Sequence, residues 1–354
     1  MVFQSLQIGR GFAALLVLFF HLSAALGAEK YFNIEALSVP FSFGHVGVEF
    51  FFVLSGFIIF SAHKKEIFRG DGIQKYIFKR ISRVYPVYMI VFLIIFSFLF
   101  VSSSLPSEFL SGGYELFFKS LFLLPQDKNI IGGTGAPILI VAWTLQYEMM
   151  FYFLFLLLLY PFFISLFFFL VLSLYFFFSN DSFLVSFVLS DYTLLFLLGI
   201  MVFHLFGVVK PPQIFSVAIF MLSILLLSVF STLLVMTNDF VISHQIIIFG
   251  VIFSLVIYSS VSLENHYPQF FEKKLLLLIG SSSYSLYLLH YPMISVFCKI
   301  FKSLGWTEYG TSFALLIFFI LSLVCIFVSI IFHLVIEKPI GAYLNRFWVA
   351  YEGK

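Results

Sequence analysis

The sequence predicts an all-α, polytopic integral membrane protein of about ten transmembrane helices, with both termini cytoplasmic. Three observations predict it. The 354-residue chain is 62% hydrophobic and 10% charged, with a mean hydropathy of +1.11, a balance no soluble domain has. Its apolar residues gather into runs of about twenty, the length that crosses a bilayer core. Its basic residues fall mostly on one side of those runs. The net charge of +2 adds little to this. Cys298 and Cys325 both lie in apolar runs, so no disulfide framework is expected. The first run has no cleavable-signal signature, because it carries Arg10 near its start and continues for about a full span.

The expected spans run near 8–27, 43–62, 84–104, 140–159, 161–179, 190–208, 213–234, 241–261, 276–300 and 312–336. Lys210-Pro211-Pro212 separates the sixth from the seventh. The fourth and fifth meet at Tyr160-Pro161, which reads as a break or a kink. Segment 114–124 is apolar but short and follows Gly112-Gly113, so it reads as interfacial or re-entrant. No internal repeat or soluble domain is visible.

Orientation follows from Lys and Arg. Lys64, Lys65, Arg69, Lys75, Lys79, Arg80 and Arg83 lie between the second and third spans, which places that segment in the cytoplasm. With ten spans, Lys210, Lys273, Lys274, Lys338, Arg346 and Lys354 fall on the same side. Together with Arg10 these make fourteen of the nineteen basic residues; Lys30, Lys119, Lys128, Lys299 and Lys302 fall outside.

Arg10 and His21 stand eleven residues apart in one apolar run. Eleven residues are about three helical turns, so both share one face, roughly 16 Å apart along the axis. Ionisable groups inside a span are costly and mark functional sites. The plainer reading is a snorkelling Arg and a packed, hydrogen-bonded His. At roughly 1.5 Å per residue, His21, Glu49, Glu148 and His290 all fall in the outer half of their spans, which a shared cavity explains better than four lipid-facing positions. A carboxylate fixes an imidazole's tautomer and stabilises the imidazolium, so His21 with Glu49 reads as a general base and its partner. An interhelical hydrogen bond is the structural alternative. No His or Cys spacing suggests a metal site, so none is expected. Arg80 and Arg83 are three residues apart before the third span, on one face if helical, and Arg suits bidentate phosphate binding. Positive-inside topology alone also accounts for them.

These residues resemble the membrane acyltransferase 3 family, especially the bacterial exopolysaccharide and O-antigen O-acetyltransferases. The resemblance rests on Arg10 to His21; on Gly47-Val48-Glu49-Phe50-Phe51-Phe52-Val53-Leu54-Ser55-Gly56-Phe57; and on Lys79-Arg80 through Arg83 with Pro86 and Tyr88. It continues through Trp143-Thr144-Leu145-Gln146-Tyr147-Glu148, Ser283-Tyr284-Ser285-Leu286-Tyr287-Leu288-Leu289-His290 with Pro292, and Glu337-Lys338-Pro339. It covers nearly the whole chain.

The resemblance implies a single membrane-embedded acyltransferase domain at 1–340 and a short cytoplasmic tail at 341–354, in the bacterial inner membrane. It implies acetyl transfer from cytosolic acetyl-CoA, as co-substrate, to a hydroxyl of a free or polyprenyl-linked saccharide on the outer side. His21 matches the family's essential His and Arg10 its paired basic residue. Arg80 and Arg83 match arginines that handle the acyl donor. Glu49 stands where many relatives have Asp. Trp143, Glu148, Tyr284, Tyr287 and His290 are accessory or substrate-side candidates. Phosphates would stay at Arg80, Arg83 and Arg10 while the thin pantetheine arm follows the Arg10–His21 face. Direct transfer and an acetyl-His route both remain open. Membrane lipid is an expected partner and nucleic acid is not; oligomeric state is open. The chain ends soon after its tenth span and is expected to act as a stand-alone transferase. A transporter of a polyprenyl-linked saccharide or small anion is the competing reading, disfavoured by the lack of repeat symmetry.

Overall fold

The computed structural model describes residues 3–34, 38–102, 107–178, 182–236 and 245–352, and the side chains of all of these except 107–113. Regular structure among the described residues is all helical. Among the described residues eight helices are long and apolar enough to cross a membrane: Gln4–Gly27, Val39–His63, Ile73–Val101, Ile140–Leu159, Phe183–Val208, Gln213–Met236, Gln245–His266 and Gly310–Glu352. They correspond to eight of the ten expected spans. The fifth expected span is Phe162–Phe178, equally apolar but shorter. The ninth is two helices, Lys274–Ser281 and Ser283–Ser303, which meet at Ser282. The Gly280-Ser281-Ser282-Ser283 run explains the interruption, since Gly and Ser are weak helix formers and the Ser282 hydroxyl bonds back to the Ile279 carbonyl at 3.1 Å. Residues 241–244 of the eighth expected span, residue 179 of the fifth, and Lys354 lie outside the described residues.

The chain divides into two compact units, Met1–Phe57 with Leu195–Val335, and Ile58–Leu194 with Ile336–Lys354. In the first unit, the Gln4–Gly27 helix packs on Lys274–Ser281, Ser283–Ser303, Gln245–His266 and Gly310–Phe332. Its start is fixed from a distance: Gln4 and Ser5 donate their backbone N–H groups to the Glu264 carboxylate, both at 2.8 Å. An anion there satisfies two orphan donors and faces the positive end of the helix dipole. Ala14, Leu18, Leu22 and Leu26 repeat every four residues and form one stripe. They are buried against Leu286, Ile294 and Cys298 of one helix and Ala314, Ile317, Leu321 and Cys325 of another. His290 sits four residues from both Leu286 and Ile294, so the packed stripe carries it toward the first helix. The glycines of the Gly47–Phe57 motif have a steric reason. A Cβ on Gly47 would stand 2.5 Å from the Ala13 carbonyl oxygen, and one on Gly56 2.0 Å from that of Phe196. Backbones approach closely there because neither residue has a side chain.

In the second unit, Tyr160-Pro161 is a full break. Pro161 has no N–H for the Leu157 carbonyl, and the Ser165 hydroxyl donates to it instead at 2.7 Å. The carbonyls of Leu158 and Leu159 accept from the backbone N–H groups of Phe68 and Gly70 at 2.9 and 2.8 Å. The last turn of the Trp143–Leu159 helix is thereby satisfied by a loop rather than by more helix. Segment 114–124 belongs largely to a Ser107–Leu121 helix; the Ser120 carbonyl in its last turn accepts from Tyr88, and the Phe122 carbonyl just beyond it accepts from Tyr85. After Gly310–Phe332 the chain passes through a π-helical turn, His333–Glu337, into a Lys338–Glu352 helix. Pro339 has no N–H for the preceding turn, and the wider π-helical turn lies just before it. Trp348 stacks on Phe78 at 4.6 Å and Glu352 pairs with Lys75 at 3.0 Å, so residues 338–352 are docked on the Arg80 helix.

Candidate functional site

The expected site residues fall into two groups, one in each unit. Arg10, His21, Glu49, Tyr284, Tyr287 and His290 belong to the first unit; Arg80, Arg83, Trp143 and Glu148 belong to the second.

In the first unit His21 meets His290, 269 residues away in sequence. Nδ1 of His21 lies 3.0 Å from the Val17 carbonyl and 3.2 Å from Nε2 of His290. His290 is fully buried, and its Nδ1 lies 3.0 Å from the Leu286 carbonyl. These contacts set the tautomers. A carbonyl only accepts, so the neutral His290 carries its proton on Nδ1 and offers a lone pair at Nε2. Nδ1 of His21 then faces two acceptors and must carry the proton. The basic lone pair of His21 is left on Nε2. Tyr291 stands edge-on to His21 at 5.4 Å, and the Phe20 ring lies between His21 and a third imidazole, His45, at 4.9 and 5.5 Å. Tyr287 packs near His290 at 5.8 Å and against Phe51.

Glu49 is not the hydrogen-bonding partner of His21. Its Oε2 is buried and has no hydrogen-bond partner among the described residues. Its neighbours along the helix, Phe50 and Phe51, pack on Phe253 and Tyr287. The imidazole position expected for a carboxylate is taken by His290, because the helix carrying it packs directly on the first helix. Arg10 is half-buried, and its Nη1 donates to the Gln7 side chain at 3.4 Å. Tyr284 is half-buried in the first turn of the Ser283–Ser303 helix.

In the second unit Arg80 is 8% exposed, whereas Arg83 is exposed. The two stand about 60° apart on one side of the helix, and the packing covers Arg80 and leaves Arg83 at the edge. The Arg80 guanidinium lies 5.8 Å from the Tyr76 ring and 5.6 Å from the Tyr152 ring. Both are cation–π contacts, and desolvation strengthens them. The tyrosines are themselves held: Tyr76 donates to the Tyr152 carbonyl at 2.9 Å, and the Tyr152 hydroxyl donates to the Glu148 carboxylate. Glu148 therefore serves the Arg80 cluster. Nε of Arg80 is buried without a hydrogen-bond partner among the described residues. A buried guanidinium N–H left unpaired is costly, by about 1–3 kcal/mol, and an anionic oxygen would satisfy it. Trp143 packs away from this cluster, on Tyr147 and Tyr192 at 6.0 and 5.2 Å.

The spacing pattern missed His63, Glu66, Tyr76 and Tyr152, all of which surround or support Arg80. Tyr76 and Arg80, like Glu148 and Tyr152, are four apart, and that interval was the available signal. No group of three or more His, Cys, Asp or Glu that could hold a metal occurs among the described residues.

The chain is similar to the exopolysaccharide production protein ExoZ of Rhizobium meliloti (strain 1021), 32% identical over 117 residues. That match covers 32% of this chain and about a third of the relative's length. No solved structure matches the chain. The family model described as an acyltransferase domain matches residues 3–334, nearly the whole chain. With that match running through the helices that carry both His21 and Arg80, this polytopic helical protein belongs to the membrane acyltransferase family.

Proposed function

We propose that this acyltransferase moves an acetyl group from cytosolic acetyl-CoA to a saccharide hydroxyl on the outer side of the bacterial inner membrane. The acceptor is an exopolysaccharide or its polyprenyl-linked precursor. The observation that carries the reading is the His21–His290 contact, which leaves Nε2 of His21 as the basic nitrogen. Nε2 takes the proton from the acceptor hydroxyl as its oxygen attacks the thioester carbonyl. The C–S bond breaks, and the imidazolium returns its proton to the departing thiolate. Throughout, Nδ1–H stays on Val17 and His290, so the ring does not turn. Glu49 is buried in the same unit but does not touch His21, so no proton-transfer step is assigned to it. Arg80, whose Nε lacks a partner among the described residues, holds donor phosphate oxygens, with the exposed Arg83 as a further cation in the same unit.

Purified protein with labelled acetyl-CoA and a polysaccharide extract tests the reaction. Label should move to saccharide; saccharide or anion uptake into vesicles without acetyl transfer would select the transporter instead. Ten spans with cytoplasmic termini are part of the reading, supported by the fourteen-to-five division of basic residues. Reporter fusions after Lys210 and after Lys354 should both report cytoplasm.

A further inference from the structure

The second unit contains an imidazole that the proposed reaction does not use. His63 ends the Gly47–His63 helix and is buried. Its Nδ1 lies 2.7 Å from Oε2 of Glu66, and its Nε2 lies 3.4 Å from Nη2 of Arg80. The direction of these hydrogen bonds is fixed by chemistry. A guanidinium only donates, so Nε2 of His63 presents its lone pair to Arg80. The carboxylate only accepts, so Nδ1 carries the proton and gives it to Glu66. The chain of donors therefore runs from Arg80 through His63 and ends on the Glu66 charge.

We propose that His63, held by Glu66, is a positioning residue that sets the Arg80 guanidinium for the phosphates of the acyl donor. The inference rests on the reading of Arg80 given above. Three neighbours define the guanidinium's place: the Tyr76 ring, the Tyr152 ring and the His63 nitrogen. His63 also stands edge-on to Tyr76 at 5.0 Å, so it braces one of the two rings as well. Nε, the donor without a partner, remains for an anion. An imidazole suits this task better than a carboxylate would. Among the described residues no carboxylate forms an ion pair with Arg80. A direct pair would neutralise the cation and compete with phosphate. With His63 between them, Glu66 orients Arg80 while its charge stays one ring away.

The local backbone is shaped around this carboxylate. Glu66 donates its backbone N–H to the His63 carbonyl at 2.9 Å, closing a turn that brings the two side chains together. Gly72, at φ +78°, precedes the Arg80 helix, and a Cβ there would stand 2.8 Å from Cδ of Glu66. Only glycine takes that backbone conformation freely and leaves room for the carboxylate.

The test is steady-state transfer in detergent or proteoliposomes with acetyl-CoA as the varied substrate. His63→Leu should raise the apparent KM for acetyl-CoA about tenfold, the scale of one charge-assisted hydrogen bond, with kcat within about twofold. His63→Gln, whose amide oxygen can still accept from Arg80, should recover most of that loss. Glu66→Ala should shift KM in the same direction by less, and since Glu66 is partly exposed this variant tests the relay without a core change. Arg80→Ala is measured alongside. If it raises KM while His63→Leu and Glu66→Ala do not, the relay is overturned and the reading of Arg80 stands. A loss of kcat alone in His63→Leu, without a change in KM, overturns it too. An unchanged KM in Arg80→Ala removes the donor role of Arg80 and the relay with it.

Discussion

The two units each set one basic side chain among aromatic rings, His21 half-buried and Arg80 buried, and they present opposite chemistry. In the first, the Nδ1–H of His21 faces only acceptors, the Val17 carbonyl and His290 Nε2, which leaves a lone pair on Nε2. In the second, Arg80 has its faces on two tyrosine rings and one nitrogen on His63, and keeps a spare donor. On the reading proposed above, the first arrangement suits a base and the second an anion holder. Burying an ionisable group is expensive in both places. What differs is which partner is supplied, and that decides whether the group can take a proton or can only give a hydrogen bond.

The comparison is broken most directly at His21. His21→Ala should remove the general base and lower transfer by about 10²–10⁴-fold, with the protein still inserted and monodisperse. Near-normal transfer in this variant would end the assignment; loss of folding would make the His21–His290 contact an architectural one.

Arg80→Ala comes next. It should weaken use of acetyl-CoA by roughly tenfold or more, since contacts from a charged donor to phosphate are worth about 1.5–3 kcal/mol. Arg83→Ala should cost less, because an exposed cation is screened by solvent. Equal KM effects from the two arginines would mean that burial does not distinguish them.

His290→Leu sharpens the first half of the comparison. It removes one of the two acceptors at Nδ1 of His21 while the Val17 carbonyl remains. We expect kcat to fall by roughly tenfold, the scale of one lost hydrogen bond, with the acetyl-CoA KM little changed. His290→Gln, which can again accept, should restore part of it. A KM effect in place of a kcat effect would move His290 to the donor side.

The smallest effect is expected at Glu49. Its Oε2 has no hydrogen-bond partner among the described residues and does not touch His21, so Glu49→Gln, which keeps the shape of the side chain, should change transfer by several-fold at most, and Glu49→Asp should keep part of the activity. A loss as large as that of His21→Ala would show that Glu49 contacts the reacting groups during turnover.

Much of the architecture is legible in chain order. Apolar runs of span length, the break at Tyr160-Pro161 and the interruption at Lys210-Pro211-Pro212 are local properties of backbone and hydropathy, so they appear in the sequence and again in the helices. The division of the 276–300 run at Ser282 was equally local, in its Gly-Ser-Ser-Ser stretch, but hydropathy averaged over a window conceals it. The candidates His21, Glu49, Arg80 and Glu148 stand out because ionisable groups are rare in such runs.

Partnership is a different matter. The sequence spacing allowed Glu49 beside His21, and the packed stripes of the first and Ser283–Ser303 helices put His290 there instead. Glu148, expected in one layer with His21, serves Arg80 through Tyr152. His63 and Glu66 looked like the end of a span and the start of a basic loop until the turn between them aimed both at Arg80. The physical reason is common to all three. Helix periodicity tells which residues share a face of one helix, within a few positions. Which face meets which is settled by side-chain packing between segments far apart in sequence, and a buried polar group takes its role from the partner that packing delivers.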